Sequence, residues 1–151
     1  MRKEYQALAG RLAFVVVGAG LIFLIPRFEY LDTVGSRELD ENLYTRLDEY
    51  LQTYEENPTL ADIFAIAMKD PTALSEADRQ ILLAQEREFL AGWELAWTYR
   101  LDGRLDTDRY IEWDTWYAVE LERRPSFVWR DNRPHFPEAF VQHVENSVQF
   151  R

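Results

Sequence analysis

Residues 75–101 read SEADRQILLAQEREFLAGWELAWTYRL. Ser75-Glu76-Ala77-Asp78 matches the S-x-x-[DE] capping signature, in which a hydroxyl accepts one of the amide protons that the first helical turn leaves without a partner. The apolar residues Leu82, Phe89, Trp93, Ala96 and Trp97 then share one side at helical spacing. Gly103 supplies a C-terminal stop. A long central helix is therefore expected from Glu76 to about Leu101, with an aromatic stripe that needs a partner.

That partner follows at once. Residues 107–124 carry Tyr110, Trp113, Trp116 and Tyr117, and two facing aromatic stripes form core. Pro125-Ser126 opens a short piece with Phe127 and Trp129. Pro137 suits the first turn of a final helix containing Phe140, Val141, Val144 and Val148.

Upstream, Ser36 is placed to cap a helix whose Leu39, Leu43, Leu47, Leu51 and Tyr54 recur almost every fourth residue. Arg37, Asp40, Glu41, Asp48, Glu49 and Glu55 are read as its solvated face. Asn57-Pro58 ends it, because the residue before a proline avoids helical angles. Residues 59–69 are apolar nearly all round, through Leu60, Ile63, Phe64, Ile66, Ala67 and Met68, and are expected to be buried until Asp70-Pro71 breaks the helix. The sequence carries no strand pattern, internal repeat or low-complexity tract.

The N-terminus is different. Leu12–Ile25 reads LAFVVVGAGLIFLI without a charge, and Ala7–Gly10 extends it past Arg11. This is short of the roughly 20 apolar residues a bilayer core demands, but Arg11 is within snorkelling reach of the headgroups and Pro26 closes the run. A cleaved secretory signal and a buried core helix compete with this reading. Against the first, the exit Leu-Ile-Pro-Arg-Phe-Glu-Tyr lacks small residues for cleavage. Against the second, no polar residue recurs at helical spacing. The expected organisation is a tail at 1–6, a transmembrane helix at 7–26, a juncture at 27–35 and a soluble helical domain at 36–151. The fold class is all-α: one N-terminal transmembrane helix followed by a small acidic helical bundle.

Arg2, Lys3 and Arg11 precede or open the span, and only Arg27 and Arg37 follow closely. The positive-inside rule then puts the N-terminus in the cytoplasm and, in a bacterium, the domain beyond the inner membrane in the periplasm. Gly10, Ala13, Gly18, Ala19 and Gly20 offer small residues where another membrane helix can approach, although no strict G-x-x-x-G is present. The expected partners are thus the lipid bilayer and other membrane-protein subunits.

Residues 1–27 hold four basic residues (Arg2, Lys3, Arg11, Arg27) and one acidic residue (Glu4). The chain as a whole has 17 and 27, which leaves 13 basic against 26 acidic residues, a net charge of -13, in residues 28–151. Such a field opposes phosphate backbones, so no nucleic-acid partner is expected. With 47% hydrophobic and 15% aromatic residues the chain has enough apolar surface to fold as one compact domain.

Catalytic signatures are sparse. Cysteine is absent, which excludes disulfides, thiolate metal sites and thiol nucleophiles. There are two histidines, His135 and His143, and four serines, with no nucleophile elbow. Neither histidine has a Glu three residues before it, as a four-helix di-metal site requires, and their spacing matches no zinc pair. Asp102, Asp106, Asp108 and Glu112 approach a calcium loop, but Gly103 falls in the wrong place and turn-forming caps explain them. No cofactor or metal is expected. Trp93, Trp97, Trp113 and Trp116 could stack on a ligand ring with Glu94 or Glu112 supplying polarity, although their three- and four-residue spacing is that of core. Trp129, Arg130, Arg133 and His135 gather aromatics and cations into a candidate partner surface. Pairing of these arginines with local carboxylates, or stacking on Trp, is the competing structural explanation.

Asn57-Pro58, Asp70-Pro71 with Leu74-Ser75, the Trp93-centred helix, Gly103-Arg104-Leu105-Asp106, Trp113, Trp129 and Pro137-Glu138-Ala139-Phe140 follow an N-terminal membrane helix. This pattern resembles a group of uncharacterised bacterial membrane-anchored all-helical domains, over about residues 36–148. The resemblance implies a fold and a location, and carries over no catalytic residue. The functional expectation is a non-catalytic accessory or stabilising subunit of a larger membrane protein complex. The alternative is a membrane-surface enzyme or small-ligand sensor using an aromatic pocket.

Overall fold

The computed structural model describes residues 34–148. The expected tail, the transmembrane helix with Gly10, Ala13, Gly18 and Gly20, and most of the juncture lie outside these residues. The described residues form six α-helices and no strand: α1 Val34–Glu56, α2 Pro58–Lys69, α3 Glu76–Leu101, α4 Thr107–Glu122, α5 Ser126–Asn132 and α6 Glu138–Ser147. Short 3-10 turns lie at Pro71–Ala73 and Arg133–His135. No helix among them is long and apolar enough to cross a membrane.

The central helix forms for the reasons its sequence gives. Ser75 Oγ accepts the Asp78 amide at 3.1 Å, which satisfies one of the first-turn donors. At the other end Gly103 takes φ 65°. There the amides of Arg104 and Leu105 turn back to the Tyr99 carbonyl at 2.9 and 3.1 Å. Asn57 and Asp106 cap α2 and α4 in the same way, accepting from the amides of Leu60 and Asp108.

The boundaries correct the reading in small ways. Val34 and Gly35, expected in the juncture, are already helical, so Ser36 lies inside α1 and does not cap it. Helix α4 stops at Glu122, two residues early, where the Arg124 amide turns back to the Leu121 carbonyl. Pro137 is the N-cap of α6 and not its first helical residue.

Helix α3 is the spine. It packs against α1, α2, α4 and α5, and α6 lies on α4. The core runs continuously from Leu39, Leu43 and Leu47 through Leu82, Phe89, Leu90 and Trp93 to Trp113, Tyr117, Phe140 and Val144. Trp93 and Tyr117 stack nearly parallel, with ring centres 5.8 Å apart. Phe140 meets Trp93 edge-on. Trp93 and Trp113 are sealed completely, while Trp97 and Trp116 are only partly covered at the edge of the same cluster. Gly92 leaves room for a ring of α4: a Cβ there would lie 2.5 Å from the Tyr117 hydroxyl.

Two expectations about faces do not hold. Helix α2 is one-sided: Leu60, Ile63, Phe64 and Ala67 are buried, but Ile66 is 45% exposed. The helix packs against α1, α3 and the turn Pro71–Ala73, which leaves one side of it uncovered. Asp40 is not on a solvated face. It borders the Leu39–Leu43 stripe and is carried under α4, where its carboxylate accepts from Trp113 Nε1 at 3.1 Å and Arg109 Nε at 2.5 Å.

Candidate functional site

Two of the polar clusters within the bundle hold titratable groups in a close network. The deeper one is centred on Glu86, which falls four residues from Leu82 and from Leu90 and so points inward with them. Tyr50 and Tyr54, on successive turns of α1, both donate to Glu86 Oε1, at 2.7 and 2.6 Å. Arg124 donates from Nε to Glu86 Oε2 at 2.5 Å and from Nη2 to the Tyr50 hydroxyl at 3.1 Å. Its Nη1 reaches the Glu120 carbonyl at 2.6 Å, and its guanidinium lies 3.8 Å from the centre of the Phe89 ring. Arg123 closes the outer side, donating to Glu120 Oε1 at 2.6 Å.

Burial, and then the Glu86 charge, push both tyrosine hydroxyls far above their ordinary range. Burial alone would lower Arg124, but Glu86 and Tyr50 outweigh it and hold the guanidinium charged. The Tyr50 and Tyr54 hydroxyls and each guanidinium nitrogen of Arg124 have an acceptor inside the protein. The network joins α1, α3 and the end of α4, and it has the chemistry of a structural key, since a buried ion pair is tolerable only when its remaining valences are filled.

The second cluster is nearer the surface. Asp114 on α4 and His143 on α6 have side chains 21% and 23% exposed. A single oxygen, Asp114 Oδ1, accepts from Trp93 Nε1 at 2.7 Å and from the Tyr110 hydroxyl at 2.9 Å. The same oxygen lies 2.6 Å from His143 Nε2, which is also 2.8 Å from the Tyr110 hydroxyl. Two lone pairs cannot face each other at 2.6 Å, so with an ionised Asp114 the proton of the contact sits on Nε2. Burial pushes Asp114 up, but the hydrogen bonds from His143, Trp93 and Tyr110 outweigh it and hold the carboxyl below its usual range. Burial and then the Asp114 charge raise Tyr110. The arrangement fixes an imidazole by a carboxylate, with an aromatic floor of Trp93, Trp97 and Phe140. It is the one grouping among the described residues with the parts of a proton-handling site.

The residues singled out in the sequence are not brought together. Trp129 is buried, 4% exposed, whereas Arg130, Arg133 and His135 are exposed. Arg130 donates to the neighbouring Asp131 at 2.7 Å and Arg133 pairs with Glu145 at 3.0 Å. The candidate partner surface therefore keeps its cations and loses its aromatic. Glu94 is half-buried on α3 and raised by desolvation; Glu112 is exposed on α4 beside Arg109. Among the described residues no group of three or more His, Asp or Glu is placed to hold a metal ion.

Sequence reasoning passed over Glu86, Glu120, Arg124 and Asp114. The signal was present for three of them, because a charged residue at the three- and four-residue spacing of buried neighbours (Leu82, Glu86, Leu90; Tyr117, Glu120, Arg124) must find a partner inside. Which partner it finds depends on helix packing. Comparison with protein-family models, curated proteins and solved structures finds no match to this chain.

Proposed function

We propose that this chain is a membrane-anchored helical interaction protein, a non-catalytic accessory or stabilising subunit of a larger membrane protein complex, of the kind the bacterial domains it resembles would provide. The observation that carries this reading is the uncharged run Leu12–Ile25, closed by Pro26 and joined through a few residues to an acidic helical bundle. The bundle supplies the complementary argument. Its buried ionisable groups are matched to one another, as in a scaffold. On this reading residues 7–26 span the inner membrane with the N-terminus cytoplasmic and the bundle periplasmic.

A second reading, a membrane-surface enzyme or ligand sensor, is favoured by one specific feature, the partly exposed Asp114–His143–Tyr110 cluster. Affinity purification after mild detergent extraction separates the two. Full-length protein is expected to bring membrane-protein subunits with it, and a chain lacking residues 1–27 to bring fewer. Undiminished capture by the truncated chain would put the binding energy in the bundle. Capture of no protein by either would favour the enzyme or sensor.

A further inference from the structure

Helix α6 is ten residues long and lies on α4 at the end of the described chain. Its apolar hold is modest: Phe140, Val141 and Val144, with Val148 just beyond its end, are its buried side chains. Burial of so few groups is of the same order as the conformational entropy lost in ordering the segment. Its polar tie to the bundle is His143, held against Asp114 and Tyr110 of α4. The pair of Arg133 with Glu145 joins α6 only to the turn before it.

We propose that the Asp114 carboxylate is an acid-sensitive latch on helix α6, closed while Asp114 is ionised and released when it takes up a proton. Three donors from three helices, Trp93 on α3, Tyr110 on α4 and His143 on α6, converge on one oxygen. A proton on that carboxyl adds a fourth donor and withdraws the charge that made the oxygen a good acceptor for the others. The charged and titratable groups that reach the knot are Arg100 from α3, Tyr110 and Asp114 from α4 and His143 from α6. Asp114 is the anion among them, and the acceptor left for His143 Nε2 is the neutral Tyr110 hydroxyl at 2.8 Å, a weaker partner than a carboxylate. Trp93 lies on α3 and is tied to α4 by its stack on Tyr117, while Phe140 and His143 cover it from α6. The member that can leave is His143, and α6 leaves with it, uncovering Phe140, Val141 and the face of Trp97.

Amide hydrogen exchange on the full-length protein in detergent, corrected for the intrinsic pH dependence of exchange, tests this. Between pH 7 and pH 2 the protection of residues 138–148 is expected to fall several-fold while that of residues 82–100 is retained. Asp114→Asn is expected to give low protection of 138–148 at pH 7 and no further loss on acidification. Tyr110→Phe keeps the carboxylate and is expected to keep the acid transition, as is Glu145→Gln, which removes the α6 carboxylate paired with Arg133. Loss of protection in 138–148 and 82–100 together would mean global acid unfolding and would overturn the proposal. So would full protection of 138–148 at pH 2, or an Asp114→Asn protein that retains the wild-type acid transition.

Discussion

Arg124 and Glu86 meet through Nε and Oε2 at 2.5 Å, with side chains 1% and 0% exposed, so each is the other's replacement for water. Removing either alone leaves an uncompensated charge in the core. Arg124→Met or Glu86→Leu is each expected to destabilise the protein by about 3–5 kcal/mol, whereas the double replacement is expected to recover most of that loss. Urea unfolding of the two single variants and the double variant measures the coupling. Additive losses would mean that the pair is not the unit it is in the structure.

Gly92 of α3 faces the Tyr117 hydroxyl of α4. Gly92→Ala would normally favour a helix by up to about 1 kcal/mol. Here the added Cβ meets the Tyr117 hydroxyl at 2.5 Å, on a ring held by its stack with Trp93. Overpacking is expected to reverse the sign to a loss of about 1–3 kcal/mol. Tyr117→Phe, which removes the clashing oxygen, is expected to restore stability in the double variant. Thermal melts of the four proteins decide it.

Trp113 and Trp116 lie one turn apart on α4 with different demands. Trp113 Nε1 donates to Asp40, whereas Trp116 Nε1 is buried without an acceptor among the described residues. Trp113→Phe is expected to cost about 1–3 kcal/mol, because it leaves part of the Asp40 carboxylate unmatched, and Trp116→Phe well under that, because it deletes a donor that was never satisfied. Denaturant midpoints of the two variants should separate accordingly. Trp93→Ala, at the sealed centre, is expected to cost about 3–5 kcal/mol.

The hydrogen bonds to Asp114 hold it below its ordinary value in the folded chain. Its contribution to stability is therefore fully present above the unfolded carboxyl value of about 3.9 and is lost as pH falls through the lower folded value. Melting temperature is expected to decline on the acid side, and Asp114→Asn to flatten part of that decline while lowering the plateau at neutral pH. An unchanged acid limb in the variant would assign the loss to other carboxylates.

A chain lacking residues 1–27 is expected to fold, because α1 through α6 bury their apolar faces on one another. Circular dichroism should show the same helical signature, and the full-length chain alone should sediment with membranes. Equal partition of both would remove the anchor from the proposed function.

Much of this fold was legible before any packing was known. Local rules acting over a few residues gave the central helix, with Ser75 as its cap and Gly103 as its stop, and the break at Asn57-Pro58. They also gave the aromatic stripes of α3 and α4, because capping and the 3.6-residue period are written within single segments. The uncharged run Leu12–Ile25 likewise belongs to the sequence, as do the acidic balance and the absence of cysteine. Asp40 looked like one more surface charge, Trp129 was open to a partner-surface or a structural role, and Ile66 looked buried. Each was settled by which neighbouring helix lay across it, a matter of tertiary contact. The two polar clusters are the clearest case. Glu86 meets Tyr50 from 36 residues away, and Asp114 meets His143 across 29. No spacing rule spans such distances, since pairs so remote in sequence come together only when hydrophobic faces have chosen their partners and the buried charges must then find theirs.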